Sequence, residues 1–354
     1  MQWEAYLHEK APSGGLDEER RLGDSLVLPA VLRRLLWICV YQTCDPARAA
    51  DEMRGDEWRT LVDGLIEDGV VSLFIEGGEP FRRTDDLLAL LRHCARRMMT
   101  RIRTNGTLVT PELARELKAV GLGGCLVDVM GARAATHDAM TGTPGSFDRA
   151  CAGIAALLDA DIPTEMLLIL NRTNVAELDD YMALAESLGV RKVGILRLYP
   201  IGRAKRHWDE LALSMDAMNE AISGLRPPPG IKLMQSWHPN DGNCCWQMAA
   251  VTPFGRSIGC SYLREFVDYG DVREGGILPT WDDPLYRELR AGAVETSCGT
   301  CSTTQGSHGG CRSTAYAFHR RWSAPDPFDV TLNDGVDLRV LPEWLLQAGP
   351  RRAG

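Results

Sequence analysis

The chain has 354 residues, a formal net charge of −9, and contents of 45% apolar and 25% charged residues. This balance is that of a globular protein with one large domain, or one large and one smaller domain. The acidic charge argues against a nucleic-acid or anionic-membrane partner, because such partners favour a basic face. No apolar run approaches the ~20 residues of a membrane span, and no signal pattern opens the chain. We therefore expect a cytoplasmic protein.

Short apolar strands alternate with amphipathic helical stretches from about residue 30 to residue 205. After a polar arm, the pattern predicts six strands, at 34–40, 70–76, 100–104, 124–130, 164–170 and 192–199. Several of the helical stretches between them end at glycine, as helix C-termini commonly do. Six βα units in succession predict a parallel sheet, closed or partly closed as a barrel.

The rhythm breaks after residue 205, where "GLRPPPG" is typical of a linker and a Gly- and Cys-rich region follows. We predict four parts on this basis. They are an N-terminal arm at 1–30, a barrel at 31–210, a Cys-rich module at 211–335 and a C-terminal tail at 336–354.

Polar and small residues follow each predicted strand, at the end where parallel barrels bind ligands. They are Cys44, the run Gly77-Gly78-Glu79-Pro80, Asn105, Asn171 and Asn174, together with Asp128 and Arg197, which lie within the predicted fourth and sixth strands. A lone Gly-Gly-Glu-Pro is compatible with a turn that serves folding only. Polar loops after six successive strands favour a binding site, because glycine lets a ligand approach the backbone and Glu79 offers an acceptor for a ligand ammonium. The set predicts a ligand with an amino-acid end and a sugar or base end.

Four stretches of the chain resemble the radical S-adenosylmethionine (radical SAM) superfamily, in the branch with a SPASM extension. They are "IEGGEP", "RTNGTLVT", "VDVMGARAATHDAMTGTPGSF" and "LRLYPIGRAK", in family order between about residues 32 and 322. The resemblance implies an α/β fold, a partial (β/α)6 TIM-like barrel followed by a small Cys-rich SPASM-like α+β module. The residues that it implies for S-adenosylmethionine are Gly77, Gly78, Glu79 and Pro80 at the methionine amino end, and Asn105, Asn174 and Arg197 near the ribose or carboxylate.

The loop after the first strand, "YQTCDPARAADEM", departs from the family pattern. The family's cluster loop is Cys-x3-Cys-x2-Cys, and alignment places Cys44, Arg48 and Asp51 at its three positions. Three thiolates are needed to hold a 4Fe–4S cluster with one iron open to S-adenosylmethionine. Arg48 stays protonated and cannot ligate iron, and Asp51 offers a hard oxygen to a soft cluster. Cys44 is then either a relic or a ligand in a loop with irregular co-ligands.

The chain has eleven cysteines, and six of them crowd the region between residues 244 and 311. In a cytoplasmic chain, such crowding indicates metal more often than disulfides. The stretch "CWQMAAVTPFGRSIGC" (245–260) is typical of a β-hairpin. A Cys-x2-Cys pair, Cys298 and Cys301, follows. The region resembles the SPASM module, which implies a first auxiliary 4Fe–4S cluster with Cys245, Cys260 and Cys311 as ligands and Cys244 as a candidate fourth.

The SPASM pattern is incomplete, since Ser307 occupies a cysteine position and the last cysteine is missing near Phe328. Cys298 and Cys301 would therefore be left with half the ligands of a second cluster, and we expect at most one auxiliary cluster. Two alternatives stay open. One is a tetrahedral zinc site at Cys298, Cys301, His308 and Cys311, and the other is a Cys-rich fold without metal. The scattered Cys94, Cys125 and Cys151 are predicted to be small buried apolar side chains.

Three functional hypotheses follow. The first, implied by the resemblance, is an iron–sulfur oxidoreductase that modifies peptides or small natural products. The second is a non-radical descendant that binds S-adenosylmethionine or another small molecule and serves as a peptide- or partner-binding subunit. The third is a metal-stabilised scaffold. The incomplete cluster loop favours the second and third, whereas the intact Gly77–Pro80 run favours a cleft in use. The N-terminal arm is too short for a leader-peptide recognition domain, so we expect a peptide substrate to use the barrel mouth or a separate partner.

Overall fold

The computed structural model describes residues 36–39, 50–235, 249–291, 310–329 and 332–347. Seven parallel strands form one sheet in chain order. The strands are β1 (Leu36–Cys39), β2 (Ser72–Glu76), β3 (Met99–Thr104), β4 (Gly124–Asp128), β5 (Thr164–Ile169), β6 (Lys192–Leu196) and β7 (Lys232–Gln235). Among the described strands, β1 and β7 each pair with a single neighbour, so the sheet is open between them. The predicted fold class, a partial TIM-like barrel, is confirmed.

Helices connect the strands, and further short helices lie beyond β6. They are α1 (Gly55–Glu67), α2 (Thr84–Cys94), α3 (Pro111–Val120), α4 (Ala134–Thr141), α5 (Ser146–Asp159), α6 (Leu178–Ser187), α7 (Gly202–Arg206), α8 (Trp208–Leu211), α9 (Met215–Gly224), α10 (Leu278–Trp281), α11 (Pro284–Ala291), α12 (Arg312–His319) and α13 (Glu343–Gln347). None of these described helices has the length and apolar content that a bilayer crossing requires.

The structure contains a seventh strand, β7, which the sequence pattern does not predict. It pairs with β6 in parallel, from Lys192 opposite Lys232 to Ile195 opposite Gln235. Its four residues, KLMQ, follow a proline-rich stretch, and two apolar side chains are too few for a run or an alternation to stand out. The parallel sheet thus continues beyond residue 210, and the four-part division of the chain stays a prediction.

Local sequence explains where helices such as α3 begin and end. The hydroxyl of Thr110 accepts a hydrogen bond from the N–H of Leu113, and Pro111 occupies the first helical position, where no N–H is needed. Gly121 ends the helix with a φ of 91°, in the left-handed region that glycine adopts without strain. The helix is therefore held to one length, and its buried Leu117 faces the core.

The inside of the barrel has an apolar middle and charged ends. The middle is a buried cluster made of Phe74, Leu126, Leu167 and Leu196. Toward the amino ends of the strands, the carboxylate of Glu165 pairs with both Arg101 and Lys192. Charge pairs therefore fill the amino end of the barrel, and the opposite end is left for a site.

The C-terminal part packs on the barrel along a seam of contacts between residues far apart in sequence. The N–H of Met53 donates to the carbonyl oxygen of Pro253 at 2.7 Å. The indole N–H of Trp208 donates to the carbonyl oxygen of Leu338, also at 2.7 Å. Met53 and Trp208 are both buried. The seam therefore positions the C-terminal part over the carboxyl ends of the strands.

The scattered cysteines of the barrel behave as packing residues. Cys94 and Cys125 are fully buried, and burial raises the pKa of each thiol to about 12. Cys151 is half-buried, and burial raises its pKa to about 11. The prediction of buried apolar side chains is confirmed for Cys94 and Cys125, whose thiols stay protonated at neutral pH.

Candidate functional site

The turn after β2 is tied to the end of β3 by the side chain of Glu79. This carboxylate is 5% exposed. Its Oε1 accepts hydrogen bonds from the N–H of Phe81 at 3.0 Å and the hydroxyl of Thr104 at 2.8 Å. Its Oε2 accepts one from the N–H of Asn105 at 2.8 Å. The turn is therefore held in one position relative to β3, with Gly77 and Gly78 exposed beside it.

The amino end of S-adenosylmethionine fits this turn. A carboxylate has about four lone-pair positions, and three of those on Glu79 accept the donors just described. Burial raises the pKa of the Glu79 carboxyl, and the hydrogen bonds from Asn105, Phe81 and Thr104 offset part of that effect. A ligand ammonium at the remaining position on Oε2 would stabilise the charged form further. Pro80 is buried and begins the 3₁₀ helix that continues the turn.

The two asparagines predicted for the cofactor lie in different surroundings. The Oδ1 of Asn105 accepts from the N–H and hydroxyl of Thr107, and its Nδ2 donates to no described residue. Asn174 is completely buried. Its Nδ2 donates to the carbonyls of Met130 and Ile169, and its Oδ1 accepts from a backbone N–H. Asn105 therefore keeps a donor for a ligand, while Asn174 joins the loops after β4 and β5.

Arg197 follows β6 and forms a buried ion pair with the C-terminal part. Its Nη1 lies 2.6 Å from Oδ2 of Asp326, and both residues are at most 5% exposed. Its Nε donates to the hydroxyl of Tyr199 at 3.2 Å. The guanidinium also lies over the rings of Tyr199 and Phe328, at 5.3 and 5.6 Å. The structure thus gives Arg197 a binding partner inside the protein, and its predicted role toward the cofactor stays a prediction.

Asp326 also holds the beginning of α12. Its Oδ2 accepts from the N–H of Cys311 at 2.8 Å, and its Oδ1 accepts from the hydroxyl of Thr314 at 2.6 Å. Gly310 precedes them with a φ of 75°, and a Cβ atom there would lie 2.4 Å from the Cβ of Asp326. The carboxylate of Asp326 therefore connects Arg197, after β6, to Cys311 at the start of α12.

Two of the cysteines predicted to bind metal lie within the described residues. Cys260 immediately precedes a short 3₁₀ helix, and Cys311 immediately precedes α12. The hydroxyl of Ser313 donates to the carbonyl oxygen of Tyr262 at 2.6 Å, which joins the first turns of the two helices. The structure therefore places the segments that follow the two cysteines in contact, and a cluster shared by Cys260 and Cys311 stays a prediction.

The other predicted metal ligands, Cys44, Cys244, Cys245, Cys298 and Cys301, lie outside the described residues. Within the described ranges, no three His, Cys, Asp or Glu side chains come together as a metal site.

The described end of the cluster loop is firmly anchored. Asp51 is exposed, whereas Glu52 beside it is buried and pairs with Arg83 at 3.1 Å. The donors at the three motif positions, one thiol, one guanidinium and one carboxylate, do not fit a three-thiolate cluster. The C-terminal end of the loop is therefore held in place, but the loop lacks the three thiolates that a cluster needs.

A charged trio at the mouth of the barrel was not predicted from the sequence. Arg103 of β3 donates from Nε and Nη2 to Asp128 of β4 at 2.8–3.1 Å, and its Nη1 lies 3.8 Å from Glu76 of β2. Burial is the largest single effect and lowers the pKa of the Arg103 guanidinium. Asp128, Tyr262 and Glu76 together outweigh burial, however, and raise that pKa. Tyr262 of the C-terminal part is close enough to interact electrostatically with Arg103. The signal that could have revealed the trio is that each of three successive strands has a charged residue near its carboxyl end.

Known proteins resemble this chain over most of its length. Residues 39–185 match the family model of the Radical SAM superfamily. The AdoMet-dependent heme synthase of Methanosarcina barkeri is 27% identical, over 79% of this chain and 88% of that protein. The mycofactocin maturase MftC of Mycobacterium tuberculosis is 28% identical, over 79% of this chain and 76% of that protein.

A solved structure shares the fold. Streptococcus suis SuiB, bound to its precursor peptide SuiA, superposes with a TM-score of 0.61 at 14% identity, over 79% of this chain and 69% of that chain. The turn after β2, the open parallel sheet and the family match agree with one another. The chain is therefore similar to the Radical SAM superfamily, whose family model matches residues 39–185.

Proposed function

We propose that the chain binds S-adenosylmethionine at the carboxyl ends of β2 and β3, and holds a peptide or small natural product beside it at the barrel mouth. In this proposal it is a cytoplasmic protein of the peptide-modifying radical SAM type. The observation that carries the proposal is the exposed Gly77–Gly78 turn, held in place by the buried carboxylate of Glu79. The names of the maturase relative and of the SuiB–SuiA complex support a peptide substrate.

Each residue of the site would have a defined role in binding. Glu79 would accept the ammonium group at Oε2, and the Nδ2 of Asn105 would donate to the ribose or carboxylate. Asn174 and Arg197 would act indirectly, since they hold the surrounding loops and the C-terminal part in position. Bound S-adenosylmethionine supplies a sulfonium-activated carbon for chemistry on the second substrate. The residues of the chain would determine where that carbon lies.

Calorimetric titration of S-adenosylmethionine into the purified full chain tests this proposal. We expect saturable binding, because the site offers a desolvated carboxylate to the ligand ammonium. The control ligand is 5′-methylthioadenosine, which lacks the amino-acid end and should bind more weakly. The absence of binding, or equal affinity for the two ligands, would contradict the proposal.

A second candidate function is a binding subunit without radical chemistry. The arginine and aspartate at two of the three cluster positions favour it, because they do not replace thiolates. Electron paramagnetic resonance on anaerobically purified, reduced protein distinguishes the candidates. A cluster signal that shifts when S-adenosylmethionine is added, and is lost in Cys44→Ala, would assign radical chemistry. A signal that is the same with and without S-adenosylmethionine, and in Cys44→Ala, would favour the binding subunit.

The C-terminal cysteines support a metal site of their own. We propose at most one auxiliary 4Fe–4S cluster, with Cys260 and Cys311 among its ligands, because the structure joins the helices that follow them. Zinc bound through Cys311 is the alternative. Iron, sulfide and zinc analysis of the purified protein separates the two, and the absence of all three would leave a fold without metal.

A further inference from the structure

The loop after β6 carries a concentrated positive surface at the rim of the barrel mouth. Arg203 and Arg206 lie on α7, three residues apart, and are both exposed. Side chains at this spacing share one helix face. The guanidinium of Arg264, from the C-terminal part, lies 3.6 Å from the Cβ position of Gly202 at the start of the same helix. These three arginines form what we call the basic rim.

The arginines of the basic rim lack a neutralising carboxylate in the part of the chain that the structure describes. Arg203, Arg206 and Arg264 have no carboxylate within ion-pair distance among the described residues. The nearby Glu265 is already engaged, because it pairs with Lys205 at 2.8 Å and accepts the N–H of Gly202 at 2.6 Å. On a chain with a net charge of −9, three cations at one place with no carboxylate partner among the described residues are a local exception.

The position of the basic rim connects it to the candidate site. The residue Tyr199, between β6 and α7, stacks on Tyr262 with ring centroids 3.8 Å apart and planes inclined by 9°. Tyr262 in turn lies near Arg103 inside the mouth. The segment between β6 and α7 thus contacts the C-terminal part at the edge of the mouth. A chain that enters the mouth on this side passes the three arginines.

We propose that the basic rim binds an acidic segment of the peptide substrate and guides the adjoining residues into the barrel mouth. This inference rests on the proposed function, whose peptide it describes more closely. Charge complementarity is the argument for the acidic character. Exposed charges of this kind mainly raise the rate of association and select the partner, and salt weakens their effect.

The test compares the wild type with the double variant Arg203→Glu/Arg206→Glu. The probes are a glutamate-rich and a lysine-rich fluorescent peptide of equal length, and binding is followed by anisotropy at low and high salt. We expect the wild type to prefer the glutamate-rich peptide, and the double variant to bind it about tenfold more weakly because two attractions become repulsions. The difference should shrink as salt is added.

Arg96→Glu is the matched control, because Arg96 is also exposed without a described ion-pair partner but lies before β3, at the opposite end of the sheet. It should leave the affinity for the glutamate-rich peptide unchanged. An equal loss of affinity in Arg96→Glu, or no preference of the wild type for the glutamate-rich peptide, would overturn the proposal that the basic rim binds an acidic segment. Parallel titration of S-adenosylmethionine keeps the two proposals apart. If S-adenosylmethionine binds and the acidic peptide does not, only this inference fails. If S-adenosylmethionine does not bind the wild type, the proposed function fails.

Discussion

Asp326→Asn should lower the free energy of unfolding by about 3–5 kcal/mol, the usual cost of removing one partner of a buried ion pair. The substitution leaves the charge of Arg197 buried without a counter-charge. It also replaces one accepting oxygen with an amide N–H₂. Oδ2 accepts from the N–H of Cys311, and Oδ1 accepts from the hydroxyl of Thr314 and the N–H of Phe328, so either placement loses a hydrogen bond. Urea denaturation of the full chain measures the change.

A double-mutant cycle with Arg197→Met isolates the ion pair from these other contacts. The double variant Arg197→Met/Asp326→Asn should be less unstable than the sum of the two single losses, because no unpaired charge remains. Asp337→Asn is the control, since Asp337 pairs with Arg339 on the surface and should contribute little. If Asp326→Asn cost no more than this control, the buried pair would not hold the seam.

Glu79→Gln should weaken the binding of S-adenosylmethionine between tenfold and about a hundredfold. A hydrogen bond to a charged group contributes about 1.5–3 kcal/mol, and the substitution removes the charge that would face the ligand ammonium. The amide N–H₂ of glutamine would also face a donor. That donor is the N–H of Asn105 at one position, or the N–H of Phe81 and the hydroxyl of Thr104 at the other. Titration of the variant gives the affinity.

Thr104→Val separates binding from stability. It removes one donor to Glu79 and the acceptor of the N–H of Gly106, so the protein should lose stability. The charge of Glu79 remains, and the affinity for S-adenosylmethionine should fall far less than in Glu79→Gln. Unchanged affinity in Glu79→Gln would remove Glu79 from the binding site and leave it a purely structural clamp.

The sequence was sufficient for the barrel because five of the first six strands have a clear apolar core, and β3 lies between two helical patterns at the expected spacing. β7 lacks such a core and was missed. The turn at Gly77–Glu79 could be found because its signal is local, a short run of unusual residues. That Glu79 is bonded to the end of β3 depends on the register of two strands, which the run itself does not encode.

The contacts between the barrel and the C-terminal part could not be predicted at all. Asp326 stands in the stretch "PDPFDV", where nothing distinguishes it from Asp329, and its partner Arg197 is 129 residues away. The trio at the mouth is an intermediate case. Each of its charges is visible at the end of a strand, but the pairing of Arg103 with Asp128 depends on both side chains pointing to the same face of the sheet.

The distance in sequence between Arg197 and Asp326 has a consequence for synthesis. A ribosome adds about 5–20 residues per second, so Asp326 is made on the order of ten seconds after Arg197. A similar interval separates the synthesis of Trp208 from that of Leu338, its hydrogen-bond partner 130 residues further on. During that interval the first six strands have been synthesised, but the guanidinium of Arg197, which is buried in the folded protein, has no carboxylate partner. The nascent barrel is therefore expected to complete its packing only when the last part of the chain has left the ribosome.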